Sequence, residues 1–241
     1  MLKKLQQIWK AKDIRNSILY VLALLIIFRI AAHIPIPGVD ASSIKDLFAG
    51  NDILGMLNLF SGGGMENFSI VMLGVGPYIT SSIIFQLLVM IVPRLEALQK
   101  EGEYGQQKIN QYTRRLTIPL ALIQGYGFIH LLSQRTGGAL MGNMSSLQLF
   151  TALMMVTAGT IFLMWLGELI SEKKIGNGIS LLIFAGIIAS LPSAVQRLIA
   201  TFDATQAFNL LIFLGIAIVT IVVVVIITEG QRNIPVNYAR R

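Results

Sequence analysis

The chain has 241 residues, 54% of them hydrophobic and 13% charged, with a mean hydropathy of +0.71; a soluble domain carries roughly 25% charged residues, so a water-soluble globule is excluded and the class is polytopic membrane protein. A pI near 9.8 would suggest nucleic acid in a soluble protein, but in a membrane protein a basic excess follows from loops kept on the cytoplasmic side. The absence of cysteine excludes a disulfide, a thiol nucleophile and a thiolate-bound metal.

Residues 1–16 carry Lys3, Lys4, Lys10, Lys12 and Arg15 against Asp13, with Leu2, Leu5, Ile8 and Trp9 at helical spacing, which predicts a basic amphipathic segment. Ser17–Ala32 is apolar except for Arg29 and is expected to be a first span, stopped by Pro35 and Pro37. A signal peptide cleaved after Ala32 is the alternative; the charge at Arg29 within the apolar run argues against it. Residues 51–64 form a short apolar segment closed by Ser61-Gly62-Gly63-Gly64. It is too short to span, because a span needs about 20 apolar residues. It is either a helix on the membrane surface or a half-helix buried against protein, since irregular backbone at membrane depth needs protein or water around it.

Span two is expected over 68–92, closed by Pro93, and a polar loop follows to Arg115. Span three is expected over 116–132, and a loop rich in Gly and Ser covers 133–146. Span four runs over 147–170, and the tight turn SEKKIGNG leads to span five, 179–199, with Pro192 inside it. Span six is expected over 208–228, and the tail is EGQRNIPVNYARR. By domains, 1–16 is an amphipathic N-terminus, 17–199 holds spans one to five with the 51–64 segment, 200–228 holds a loop and span six, and 229–241 opens a further loop. Fifteen Lys and Arg fall on the side of both termini and three on the other, with Arg29 inside a span. That bias predicts cytoplasmic termini. Six spans could divide as three plus three, but no internal repeat supports this.

Ionisable groups at membrane depth default to functional candidates. Arg29 and His33 lie one turn apart, and Arg29 is read either as a snorkelling cation or as a functional charge. Glu168 near Glu172 and Lys173 suits an i,i+4 or capping role, with proton relay as the alternative, and His130 suits an interface. There is no G-x-S-x-G, no H-E-x-x-H, no P-loop and no aspartate inside a span, so neither catalytic nor metal-ligating residues nor a cofactor are expected. Val75 and Ile79 lie four apart around Pro77. Branched aliphatic side chains converging from several helices make a dewetting constriction, and ordinary packing is the other reading.

Five stretches, FRIAAHIPIPGVD, LNLFSGGGMENFSIVMLGVGPYITSSIIFQLL, KEGEYGQQKINQYTRRLT, FLMWLGELISEKKIGNGISLLIFAGII and EGQRNIPVNYARR, resemble in order the SecY family, central subunits of the bacterial Sec protein-conducting channel. The resemblance implies an all-α helix bundle of six spans with a re-entrant plug half-helix, similar to the N-terminal half of a ten-span fold plus span six. It implies a plug formed by Asp52, Ile53, Leu54, Gly55, Met56, Leu57, Asn58, Leu59, Phe60 and Ser61. It implies a pore ring including Val75, Ile79 and Ile183, and a lateral gate lined by Ser81, Ser82, Phe85 and Gln86. Arg232, Arg240 and Arg241 match the start of a cytoplasmic loop that contacts SecA or the ribosome. Relatives often have isoleucine where Val75 stands and a second arginine where Asn233 stands.

The implied function is passage of unfolded secretory polypeptides across, and insertion of membrane proteins into, the bacterial plasma (inner) membrane. The implied partners are SecE, SecG, SecA, the ribosome, signal sequences, nascent polypeptides and lipid, with no covalent chemistry and no direct DNA binding. Because the family fold has ten spans, the chain is expected to be a fragment, a partial chain or one part of a split subunit, and not to gate alone. Two other readings are weighed: a small-solute carrier using Arg29 and Glu168, and a structural scaffold without a pore.

Overall fold

A computed structural model describes residues 11–37, 44–45, 47–48, 51–135, 145–200 and 207–230, and among these the apolar runs and their glycine and proline punctuation resolve into eight bounded helices. They are α1 Lys12–Ala31, α2 Asp52–Phe60, α3 Gly76–Ile91, α4 Pro93–Lys100, α5 Glu103–Arg135, α6 Ser146–Glu172, α7 Gly178–Ala200 and α8 Ala207–Glu229. The described residues contain no strand; Pro35 and Ser69 form an isolated antiparallel bridge. There Ile36 N donates to Phe68 O at 3.0 Å and Ile70 N to Ile34 O at 3.1 Å. Among the described residues five helices are long and apolar enough to cross a membrane, and α3 with α4 forms a pair bent by 100°.

Helix boundaries follow local chemistry. Ser145 and Gln148 form a reciprocal capping box at the start of α6, which satisfies two otherwise orphaned amides. Asn177 Oδ1 accepts from Ile179 N at 3.0 Å and Ser180 N at 3.2 Å, capping α7. Pro93 has no amide hydrogen to continue α3 and instead sits in the first turn of α4. The chain divides into two units, one up to Leu191 and one from Pro192 onward. The second holds the end of α7 and all of α8, where Thr220 and Thr228 return their hydroxyls to the carbonyls of Ile216 and Val224 at 2.8 Å each. That back-bonding leaves no hydroxyl proton unsatisfied in lipid.

The first unit packs around two apolar clusters. One gathers Val21, Leu24 and Phe28 of α1 with Leu163, Leu166 and Ile170 of α6 and Leu182 of α7. The other gathers Leu54 of α2, Phe68, Met72, Ile129 and Leu132 of α5, and Val156 of α6. Among the described residues every buried side-chain nitrogen and oxygen has a hydrogen-bond partner, as burial in an apolar surrounding demands.

Two boundaries differ most from the expected ones. Helix α3 begins at Gly76, not near Phe68; residues 61–75 are a succession of turns. Phe68 has φ 45° and Gly74 φ 57°, values that no right-handed helix holds. This irregular stretch is tolerated because protein surrounds it: Phe68, Ser69, Val71, Met72 and Val75 are buried. Helix α5 starts thirteen residues before the expected span three, at Glu103, because QQKINQYTRR contains good helix formers and no breaker.

Candidate functional site

The segment expected to be a plug does form a helix, Asp52–Phe60. Leu54 is buried in the second cluster, while Met56, Leu57 and Leu59 stay exposed. Among the described side chains of this helix, Leu54 is the buried anchor, and the exposed ones present apolar surface. Polar groups fasten its far end. Asn58 Nδ2 donates to Glu66 Oε2 at 2.9 Å, and Glu66 N donates back to Asn58 Oδ1 at 3.1 Å. Ser61 Oγ donates to Asn58 O at 3.0 Å and accepts from Met65 N at 3.1 Å. These bonds fold Asn58–Glu66 back on itself as a closed loop.

The glycines make that turn possible. Gly62 has φ +66° and Gly63 φ +84°, conformations in which a Cβ is strained. At Gly62 a Cβ would also come within 2.9 Å of Phe28 Cζ and 3.2 Å of Gly186 Cα. The loop is thus pressed between α1 and α7, with no room for a side chain. Arg29 completes the contact: its Nη1 donates to the Gly62 carbonyl. The intramembrane charge of α1 is spent on a carbonyl at the base of α2, and His33 Nδ1 lies 2.8 Å from Arg29 O. The Arg29–Gly62 contact has no sequence signal, since the two residues are far apart in the chain, whereas the His33 contact follows from its one-turn spacing to Arg29.

Val75, Ile79 and Ile183 are brought together. Val75 is buried in the first cluster, and Ile79 and Ile183 pack against it from α3 and α7. Gly186, against which the Gly62 loop rests, lies one helical turn beyond Ile183. Ile79 and Ile183 also line a cavity of about 340 Å³ shared with Tyr78, Ser82, Gln86 and Glu168.

The four residues expected at a lateral gate separate into two pairs. Ser82 and Gln86 face this cavity. Ser81 is fully buried and donates to Thr113 O of α5 at 2.7 Å, and Phe85 stacks on Tyr112 with ring centroids 6.2 Å apart. Ser81 and Phe85 thus join α3 to α5. A third tie between the same helices, the hydrogen bond from Gln124 Nε2 to Thr80 Oγ1 at 3.4 Å, has no signal in the sequence. Glu168 takes neither an i,i+4 partner nor a capping role: its Oε1 lies 2.5 Å from Arg114 Nε on α5. Lys173 instead sits 4.6 Å from the Tyr20 ring centre. His130 lies 3.0 Å from Gln134 Nε2 and stacks on Tyr126. The side chains of Asp52, Ile53 and Phe60, and all of Arg232, Arg240 and Arg241, lie outside what the structure describes.

The SecY family model matches residues 69–241. The protein translocase subunit SecY of Streptomyces scabiei is 42% identical over 258 residues, covering 100% of this chain and 58% of that protein. The same subunit of Streptomyces coelicolor is 42% identical over 257 residues, with the same two coverages, 100% and 58%. That of Buchnera aphidicola subsp. Acyrthosiphon kondoi is 45% identical over 236 residues, covering 95% of this chain and 66% of the relative. The chain thus spans about 58% of the length of the Streptomyces relatives.

Proposed function

The chain belongs to the SecY family, and from that premise we propose that it forms part of a protein-conducting channel. The channel passes unfolded secretory polypeptides across the bacterial plasma membrane and releases apolar segments into lipid. The observation that carries this reading is the convergence of Val75, Ile79 and Ile183 on one cluster, with the Gly62 loop of α2 resting on α7 one turn from Ile183. A ring of branched aliphatic side chains stops water and ions by dewetting. A short half-helix whose Met56, Leu57 and Leu59 stay exposed can leave such a ring at modest cost.

Within this reading α2 is the plug and its glycines are the hinge. Ser82 and Gln86 face the path, while Ser81 and Phe85 hold α3 against α5 beside the lateral opening. Both termini are cytoplasmic by the distribution of Lys and Arg. Arg232, Arg240 and Arg241 then meet SecA or the ribosome, and SecE and SecG flank the spans. The carrier reading needs Arg29 and Glu168 at one site, whereas Arg29 serves the Gly62 carbonyl and Glu168 serves Arg114.

Depletion of the protein from cells tests the function. Secretory precursors are expected to accumulate uncleaved while small-solute uptake continues. Unaffected export together with lost uptake of one solute would overturn the proposal.

A further inference from the structure

The cavity beside Ile79 and Ile183 is chemically divided. Ile79, Ile83, Ile179 and Ile183 supply an apolar wall, and Tyr78, Ser82, Gln86, Asn177 and Ser180 supply neutral polar groups. Glu168 is the one charged residue among those lining it. Its side chain is 29% exposed, and Arg114 approaches Oε1 through Nε from α5, outside the lining of the cavity. A carboxylate offers about four lone-pair sites, so one guanidinium contact leaves it able to accept further donors. The volume of about 340 Å³ corresponds to about ten waters at their liquid volume, enough for an entering side chain to remain partly hydrated.

We propose that Glu168 is a binding subsite for a cationic side chain, lysine or arginine, of the polypeptide passing through this cavity. The inference rests on the channel reading above and adds a charge preference to it. The physical need is plain. A cation approaching an aliphatic constriction loses water and gains nothing from isoleucine, and charge at membrane depth is expensive. A fixed carboxylate directly before the constriction offsets part of that loss, and it acts more strongly beside low-dielectric walls than in bulk water. Arg114 holds the carboxylate in place and keeps the empty site close to neutral, so an acidic or uncharged segment is not held there.

The test uses the complete channel in membrane vesicles with its motor, and secretory segments identical except for Lys, Gln or Glu at one position. Glu168→Gln is expected to slow the Lys segment about fivefold relative to the Gln segment, the size of effect that a partly exposed ion pair gives. The double exchange Glu168→Arg with Arg114→Glu keeps an ion pair between α5 and α6 and puts a cation on the cavity wall. It is expected to invert the order, so that the Glu segment passes faster than the Lys segment. If Glu168 only ties α5 to α6, Glu168→Gln slows all three segments equally and the double exchange restores the original order; either result overturns the subsite. Failure of the unmodified channel to pass any segment would overturn the channel reading itself, which separates the two failures.

Discussion

Gly62 sits where three restraints meet: a left-handed backbone, the Phe28 ring and the Gly186 backbone. A side chain on either glycine forces the loop off α7. Gly186→Leu, whose Cβ would lie 3.1 Å from Gly62 Cα, is therefore expected to unseat α2 and raise ion leakage through the resting channel. Gly127→Leu, where a Cβ would meet nothing within 4 Å, is expected to leave leakage unchanged. Conductance of reconstituted bilayers reads the difference, and equal leakage from the two variants would contradict the seating. The neighbours Ser81 and Ser82 separate in the same manner. Ser81→Ala removes a buried hydrogen bond to α5 and is expected to cost about 1 kcal/mol. Ser82→Ala, on the cavity wall, is expected to stay within about 0.5 kcal/mol. Thermal unfolding in detergent measures both. That two adjacent serines point to different neighbours is visible from helical geometry alone; which neighbour each meets is not, because no periodicity specifies a partner helix.

At the scale of elements, the apolar runs and their breakers were enough to locate α1, α6, α7 and α8, since length and hydropathy decide what can cross a membrane. They misplaced the start of α3. A buried apolar stretch looks the same whether it is helical or irregular, and FSIVMLGV carries no polar periodicity to tell them apart. The breakers Gly74, Gly76 and Pro77 are the available signal for the later start. The turns of 61–75 have a structural consequence, for they bring the Ile70 backbone against α6. A Cβ at Gly159 would fall 1.9 Å from Ile70 O, so backbone has to move. Gly159→Leu is expected to destabilise by about 3 kcal/mol or more, at the upper end for overpacking. The yield of folded, protease-resistant protein in detergent checks this, and a wild-type yield would show that 61–75 does not pack there. The ties Arg29–Gly62 and Glu168–Arg114 were beyond reach of the sequence for a related reason. Each joins residues far apart in the chain, and a lone charge in an apolar run announces a need for a partner without naming it.

For the molecule as a whole, orientation and path are the two claims that matter. The fifteen-to-three distribution of Lys and Arg predicts that an impermeant thiol reagent labels Pro37→Cys from outside intact cells and labels Glu101→Cys only after permeabilisation. The opposite pattern would invert the topology and place α2 on the cytoplasmic side. These 241 residues contain no cysteine, so single-cysteine labelling has no background from them. The same property serves the path. A translocating polypeptide stalled in the assembled channel is expected to cross-link to photoreactive probes at positions 75, 79 and 183. It should not cross-link to probes at the exposed positions Met90 and Ile123. Cross-links at 90 and 123 with none at 75, 79 and 183 would contradict passage of the polypeptide between α3 and α7.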